Sequence, residues 1–304
     1  MVQISWDDAV AFCKWASQTT GRKVQLPTEA QWEKAARGTD GRPYPWGMQA
    51  LSTSFLNFNN NTKDTTPVGK YSSTGDSPYG AADMAGNAWE WTSSLIEDYP
   101  YSAADGREDM NSRKSRVLRG GSFYNDAKNV RTTYRLSLTP DYRYIASGFR
   151  VAVTPLGQTD IFGAVQTPTP AAGSDLQVFI AQSVHMDFAR VPAGQFLMGS
   201  TDSDKDAEAY EKPQTKINLD AYLIGQYLVT NAQFAAFVDA QVTRRPPSKR
   251  AAAWPMTAKT GWTPRAPTGS IRAGRAPISA GKMITRWCRS AWTTRLLSAS
   301  GPAR

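Results

Sequence analysis

Apolar residues near the start of the chain recur at helical spacing. Val10, Phe12 with Cys13, and Trp15 fall close to a 3.6-residue period behind Ser5, whose hydroxyl can cap a helix. Asp7 and Asp8 suit the positive end of that helix, and Gly21 ends the region. A second helix is predicted in LPTEAQWEKAARG. Pro27 stops the preceding segment, Thr28 and Gln31 have capping-box spacing, Trp32, Ala35 and Ala36 form the buried face, and Gly38 ends it. From Gly80 to Ser93 the period drops to two: Trp89 and Trp91 point to one face of a short strand and Glu90 to the other. Residues 97–115 read as a polar loop. Arg116–Phe123 reads as a strand ending in Gly120, Gly121 and Ser122, where paired glycines allow close backbone approach. Phe123–Ser147 is a long loop rich in Tyr, Arg, Asn and Asp, followed by a strand over Gly148–Val153. Later, Arg190–Ser200 predicts a strand and glycine turn, and Leu219–Ala240 a strand followed by a helix capped by Thr230 or Asn231.

The Gly80–Ser93 stretch also carries candidate chemistry. Asp83 and Glu90 bracket Gly86-Asn87-Ala88, a turn tight enough to aim backbone carbonyls inward. Two carboxylates and two carbonyls in a rigid turn suit a hard cation such as calcium. The same residues also fit a glycine turn ahead of a buried aromatic strand with solvated acids. Asn57–Asn61 supplies a second cluster of amide and carbonyl oxygens, which reads equally as an Asn-rich surface turn.

The motifs DMAGNAWEWT, RVLRGGSF and GFRVA, in that order, resemble the sulfatase-modifying-factor family, which includes the formylglycine-generating enzymes and non-catalytic relatives. The resemblance covers Val2–Val153 and, separately, Phe188–Ala240. It implies an α+β, irregular, C-type-lectin-like fold with its segments in permuted order. The back of the domain comes first (1–153) and its front second (188–240), joined by a Pro/Thr-rich linker over 154–187. This order fits a circular permutant or a piece of a tandem array, and the linker favours the array. The family's two calcium sites carry over to the Asn57, Phe58, Asn60 and Thr62 group and to the Asp83 side chain, the Gly86 and Ala88 carbonyls and the Glu90 side chain. The ligand-facing surface would hold Ser122, Tyr124, Asn125, Tyr134 and Arg135, residue types that binding surfaces favour.

The resemblance also sets a test for catalysis. Formylglycine generation in this family needs a cysteine pair that holds copper(I), and soft thiolates are what that ion demands. Here the first cysteine position falls at Asn125 and the second near Val130, and no cysteine lies between Cys13 and Cys288. Copper is therefore not expected. Related oxygenases use a histidine-ligated iron, whereas the single histidine, His185, lies in the segment read as a linker. The expected function is a calcium-stabilised, non-catalytic module for an unknown protein or small-molecule ligand. The rivals are a formylglycine-generating oxidoreductase or related oxygenase, and a non-functional fragment of a tandem-domain bacterial gene.

Charge changes this picture little. The net charge is +9, yet all 26 acidic residues and 22 of the 35 basic ones precede residue 241, so that part carries −4. Nucleic-acid binding is not expected of it. No apolar run is long enough to span a membrane and no secretory leader is visible, so the default compartment is the cytoplasm. Residues 241–304 hold no acid at all. For Arg286–Arg304, codons exist whose shifted frame reads VVQISLDDAVAFCKWASQ, which differs from Val2–Gln18 only at Trp6. The expectation is a tail that leaves its reading frame after Ala240 and is disordered as protein.

Overall fold

The computed structural model describes residues 1–154, 176–181 and 184–243. Helix α1 (Trp6–Thr20) begins with a capping box: Ser5 Oγ accepts the Asp8 N–H, and the Asp8 carboxylate accepts the Ser5 N–H. Gly21 closes it at φ 68°. Strand β1 (Val24–Gln25) leads into helix α2 (Glu29–Arg37), capped by Thr28 and Gln31 in the same reciprocal way. A long irregular stretch then reaches β2 (Trp89–Leu95), β3 (Arg116–Arg119), β4 (Leu136–Leu138), β5 (Ser147–Gly148) and β6 (Ala152–Val153). The second segment supplies β7 (Leu176–Ala181), β8 (Val184–Val191), β9 (Gly194–Met198), β10 (Thr215–Leu219), β11 (Tyr222–Gly225) and helix α3 (Asn231–Thr243). Thr230 is the residue that caps α3, exchanging hydrogen bonds with Gln233.

Among the described residues the strands form three sheets. One has the order β4-β3-β2-β5, with β2 antiparallel to β3 and parallel to β5. Another is the β9–β10 ribbon. The third, β1-β6-β11-β8-β7, joins both segments: Ile224 of β11 pairs with Ala152 on one side and Ala189 on the other. The compact unit runs from Met1 to Phe237, and a second unit begins at Val238. Phe12 of the first segment stacks on Phe234 of the second (6.0 Å) and meets Phe237 edge-on (5.8 Å), and Phe149 meets Phe234 edge-on (6.4 Å).

The segment read as a linker over 154–187 needs correction, because β7 and the start of β8 lie inside it. LQVFIA and VHMDFARV are strand-forming runs, and the Pro/Thr composition upstream of them does not extend that far. His185 accordingly sits on β8, where its carbonyl accepts the Gln233 side-chain amide. Residues 155–175 and most of 241–304 lie outside the described residues, so the disorder expected of the tail falls there too.

An irregular fold leaves many carbonyls without a ladder partner, and buried cations satisfy them here. Arg37 donates to the Gly199 carbonyl (2.8 Å), and Lys34 to those of Pro192 (2.7 Å) and Gly194 (2.9 Å). Arg135 donates to Tyr210 and Arg150 to Gly225, both at 2.9 Å. Every one of these bonds ties the first segment to the second. Acids neutralise the guanidinium groups: Glu33 with Arg37 and Arg119, Glu29 with Arg135, and Glu90 with Arg150. The loop 97–115 is also less polar in place than its composition implies. Tyr99, Tyr101 and Arg107 are buried, and Arg107 lies over the Tyr101 ring at 4.6 Å.

Candidate functional site

Strand β2 is buried on both faces, not one. The Trp91 indole N–H donates to the Ile4 carbonyl (2.7 Å), and Trp89 packs against Tyr134 at 6.0 Å. Glu90 points the other way, toward α2. Its Oε2 accepts the Trp32 indole N–H (2.7 Å) and Arg150 Nε (2.6 Å), and its Oε1 accepts Arg150 Nη2 (2.6 Å). Sequence reasoning offered a metal ligand or a solvated acid at Glu90, and the fold makes it an ion-pair partner sealed from solvent. GFRVA supplied that partner in plain view, but only the tertiary fold brings Arg150 across to Glu90.

Asp83 sits nearby with φ 55°, and its carboxylate accepts the Gly69 N–H at 2.7 Å. Burial raises its pKa to about 6, against that bond and the Arg150 charge. Gly86 must be glycine: φ is 73° and an added Cβ would lie 2.3 Å from the Asn57 carbonyl oxygen. The Gly86 carbonyl already accepts the Ala88 N–H (2.8 Å). Among the described residues no three His, Cys, Asp or Glu side chains converge as a metal cluster. In this arrangement both Glu90 oxygens already serve Arg150, so the Asp83, Gly86, Ala88 and Glu90 set does not offer calcium a complete shell.

The Asn57 group fits better. Thr62 Oγ1 lies 2.8 Å from Asn57 Oδ1 and 2.5 Å from the Asp64 carbonyl oxygen, which also accepts the Asn57 side-chain amide at 2.9 Å. Three oxygens of amide, carbonyl and hydroxyl type so close together are a donor set of the kind that suits a hard cation. The Phe58 carbonyl accepts the Asn61 N–H and the Asn60 carbonyl accepts the Lys63 N–H, so these two oxygens close the turn. Asn57 also anchors the Gly80–Ser93 stretch, since its carbonyl accepts the Asn87 N–H at 2.8 Å. Sequence reasoning missed Asp64. An acid seven residues after Asn57 was a visible signal, but nothing along the chain showed that the loop turns back to it.

Around the paired glycines, Ser122 Oγ donates to Asn125 Oδ1 (2.5 Å), and the Asn125 amide reaches Asn129 Oδ1 (3.4 Å). Tyr124 stands edge-on to Tyr144 at 6.1 Å. Burial raises the Tyr124 phenol pKa, and a hydrogen bond with Tyr144 adds to this. Tyr134 is half-buried between Trp89 and Tyr210. Arg135 has a different role from the ligand contact expected of it. It is buried, forms a two-pronged pair with Glu29 (2.6 and 2.9 Å), lies 4.3 Å over the Tyr99 ring and donates to the Glu97 and Tyr210 carbonyls. The fold uses this buried guanidinium to neutralise Glu29.

The sulfatase-modifying factor enzyme 1-like domain matches residues 1–155 and 180–279, more than half of the chain. The chain belongs to this family. Its second match begins within β7 and continues past Ala240, into the segment expected to have left its frame. An inactive C-alpha-formylglycine-generating enzyme 2 from Bos taurus is 38% identical over 168 residues, covering 50% of this chain and 49% of that protein. A formylglycine-generating enzyme from Thermomonospora curvata is 35% identical, covering 51% and 56%. A hercynine oxygenase from Mycolicibacterium smegmatis is 35% identical, covering 49% and 36%. The chain thus spans about half or less of the length of these curated relatives. Among solved structures, PvdO from Pseudomonas aeruginosa is similar with a TM-score of 0.43 and 26% identity, covering 50% of this chain and 60% of that one. Members of the family therefore include both named enzymes and a named inactive form, and the site residues must separate the two.

At the family's first cysteine position, Asn125 is tied into the Ser122–Asn129 amide network. Val130, near which the resemblance puts the second, is fully buried beside Leu56 and Ala85, and Gly121 packs so tightly on it that a Cβ there would lie 2.7 Å from its side chain. Cys13, the one cysteine among the described residues, is buried on α1, and burial pushes its thiol pKa up, away from thiolate character. No helix among the described residues is long and apolar enough to cross a membrane.

Proposed function

We propose that this chain is a non-catalytic binding module of the sulfatase-modifying factor family. It is stabilised by calcium at the Asn57–Asp64 turn and takes a protein or small-molecule ligand on the surface around Ser122, Tyr124, Asn125 and Tyr134. The observation that carries this reading is the pairing of Asn125 with Ser122 and Asn129 beside a sealed Val130, at the two positions where the family's oxidation needs thiolates. An amide and an aliphatic side chain cannot supply the soft ligands copper(I) requires. Calcium at Asn57 would join the loop 57–66 to Asn87 and so to β2, a stabilising role that needs no chemistry.

Two measurements test this. The chain is incubated with a sulfatase-motif peptide, copper and oxygen, and the peptide is weighed by mass spectrometry. An unchanged cysteine is expected, and conversion to formylglycine would overturn the non-catalytic reading. Thermal unfolding is then followed with calcium and with chelator. A higher Tm in calcium, lost in Asn57→Ala, is expected, and identical curves would remove calcium from the reading. We further infer that the coding sequence leaves its frame after Ala240, on the strength of the Val2–Gln18 likeness hidden in Arg286–Arg304. The gene's nucleotide sequence decides this, since a shifted frame that encodes no such stretch ends the idea.

A further inference from the structure

The loop from Ser122 to Ser147 holds four cations, and the structure pairs every one of them with an acid. Lys128 pairs with Glu208, Arg131 with Glu211, Arg135 with Glu29 and Arg143 with Asp8. The loop's own acids, Asp126 and Asp141, remain exposed. An anionic ligand would therefore meet no uncommitted positive charge here and two negative ones.

What the loop does present is aromatic and neutral. Tyr142 is 51% exposed and Ile145 56%, both large for an open surface. The Tyr142 and Tyr144 rings lie within 29° of parallel, with centroids 6.3 Å apart. Tyr124 meets Tyr144 edge-on at 6.1 Å, and Phe123 meets Tyr124 edge-on at 5.1 Å. These mutual ring contacts hold the rings before any ligand arrives, which lowers the ordering cost of binding. Beside them lie the half-buried Asn125 and Asn129 amides, backed by the fully buried Ser122 hydroxyl and joined to the Asn59–Asn60 turn by backbone bonds from Asn59 to Asn125 (2.8 Å) and from Asn60 to Phe123 (2.7 Å). Flat apolar ring faces next to uncharged donors and acceptors complement a molecule with one C–H face and a rim of hydroxyls. A cationic guest would need rings facing a shared centre, and here Tyr124 turns its edge to Tyr144.

We propose that the Tyr124, Tyr142 and Tyr144 face, with the Asn125 and Asn129 amides beside it, binds neutral carbohydrate. The proposal rests on the binding-module reading and names the ligand class of that surface.

The test titrates the full chain with cellotetraose, chitotetraose and mannotriose, using sialyllactose as the anionic comparator and choline as the cationic one. Calorimetry and ligand-observed NMR read the binding. At least one neutral oligosaccharide is expected to bind more tightly than either comparator. Tyr142→Ala should weaken it about tenfold or more, while Tyr142→Phe, which keeps the ring, should bind like the parent. Tyr142 is exposed, so an unchanged Tm will show that both variants are folded. The proposal is overturned if none of the three neutral sugars binds, if sialyllactose or choline binds better, or if Tyr142→Ala binds as the parent does. These outcomes are separate from the sulfatase-peptide assay. Conversion there overturns the module reading, whereas unchanged peptide with no sugar bound overturns the carbohydrate proposal alone.

Discussion

Replacing Arg150 by Met tests how the two segments of the chain are held together. The Arg150 guanidinium is fully buried and reaches five acceptors: both Glu90 oxygens at 2.6 Å, and the carbonyls of Ala82 (2.8 Å), Gly225 (2.9 Å) and Gln226 (3.2 Å). Methionine fills much of the volume and keeps none of the donors. Breaking a buried pair while leaving one charge behind costs about 3–5 kcal/mol. Each buried carbonyl left without a donor adds about 1–3 kcal/mol, though such losses overlap. The expected loss is therefore at least about 4 kcal/mol, a large share of the roughly 5–15 kcal/mol that holds a domain folded. Urea unfolding of the full chain, followed by tryptophan fluorescence, measures it with calcium and with chelator. Removing both charges, in Arg150→Met with Glu90→Leu, should recover at least half of the loss, because no lone charge then remains. A loss in Arg150→Met below about 1 kcal/mol would refute the reasoning. So would a calcium-dependent stability that vanishes in Glu90→Gln, since Glu90 would then serve calcium and not Arg150.

Three other perturbations follow from the same geometry. Burial lifts Asp83 from 3.8 to about 6, so its contribution is fully present below pH 3.8 and is lost as pH rises through 6. In chelator, the parent should lose up to about 3 kcal/mol of stability between pH 4 and 7 from this group, and Asp83→Asn, which can still accept the Gly69 N–H, should lose less. Denaturant titrations across that range check it, and identical pH slopes would count against it. Gly86→Ala should destabilise by about 2–4 kcal/mol, because φ is 73° and the Asn57 carbonyl stands where the methyl must go. A thermal melt matching the parent's would show that the turn relaxes. The Cys13 thiol should resist iodoacetamide at pH 8 in the native protein and react once unfolded, as peptide mapping of the Cys13 fragment will show.

Much of the local structure was legible along the chain. Ser5 with Asp8, and Thr28 with Gln31, marked both helix starts, and Gly21 and Gly38 marked the ends, because capping depends on residues within a turn of one another. Motif order was enough to suggest the family and the permuted segments. The linker boundary was misjudged because composition blurs where a strand begins, and β7 shows itself only by pairing Gln177 with Asp187.

The chemistry of the site depended on contacts far apart in sequence. Glu90 looked like a metal ligand until Arg150 was brought against it, and Arg135 looked like a surface contact until Glu29, more than a hundred residues away, claimed it. By itself, then, the sequence determined the helices, their caps, the family and the missing thiolates, all of which are local or compositional. Tertiary structure alone decided which charges are paired, that β11 enters the sheet between β6 and β8, and which tyrosines stay open. Ion pairing and burial depend on distances through space, and a loop-rich chain leaves those distances unwritten in its local pattern.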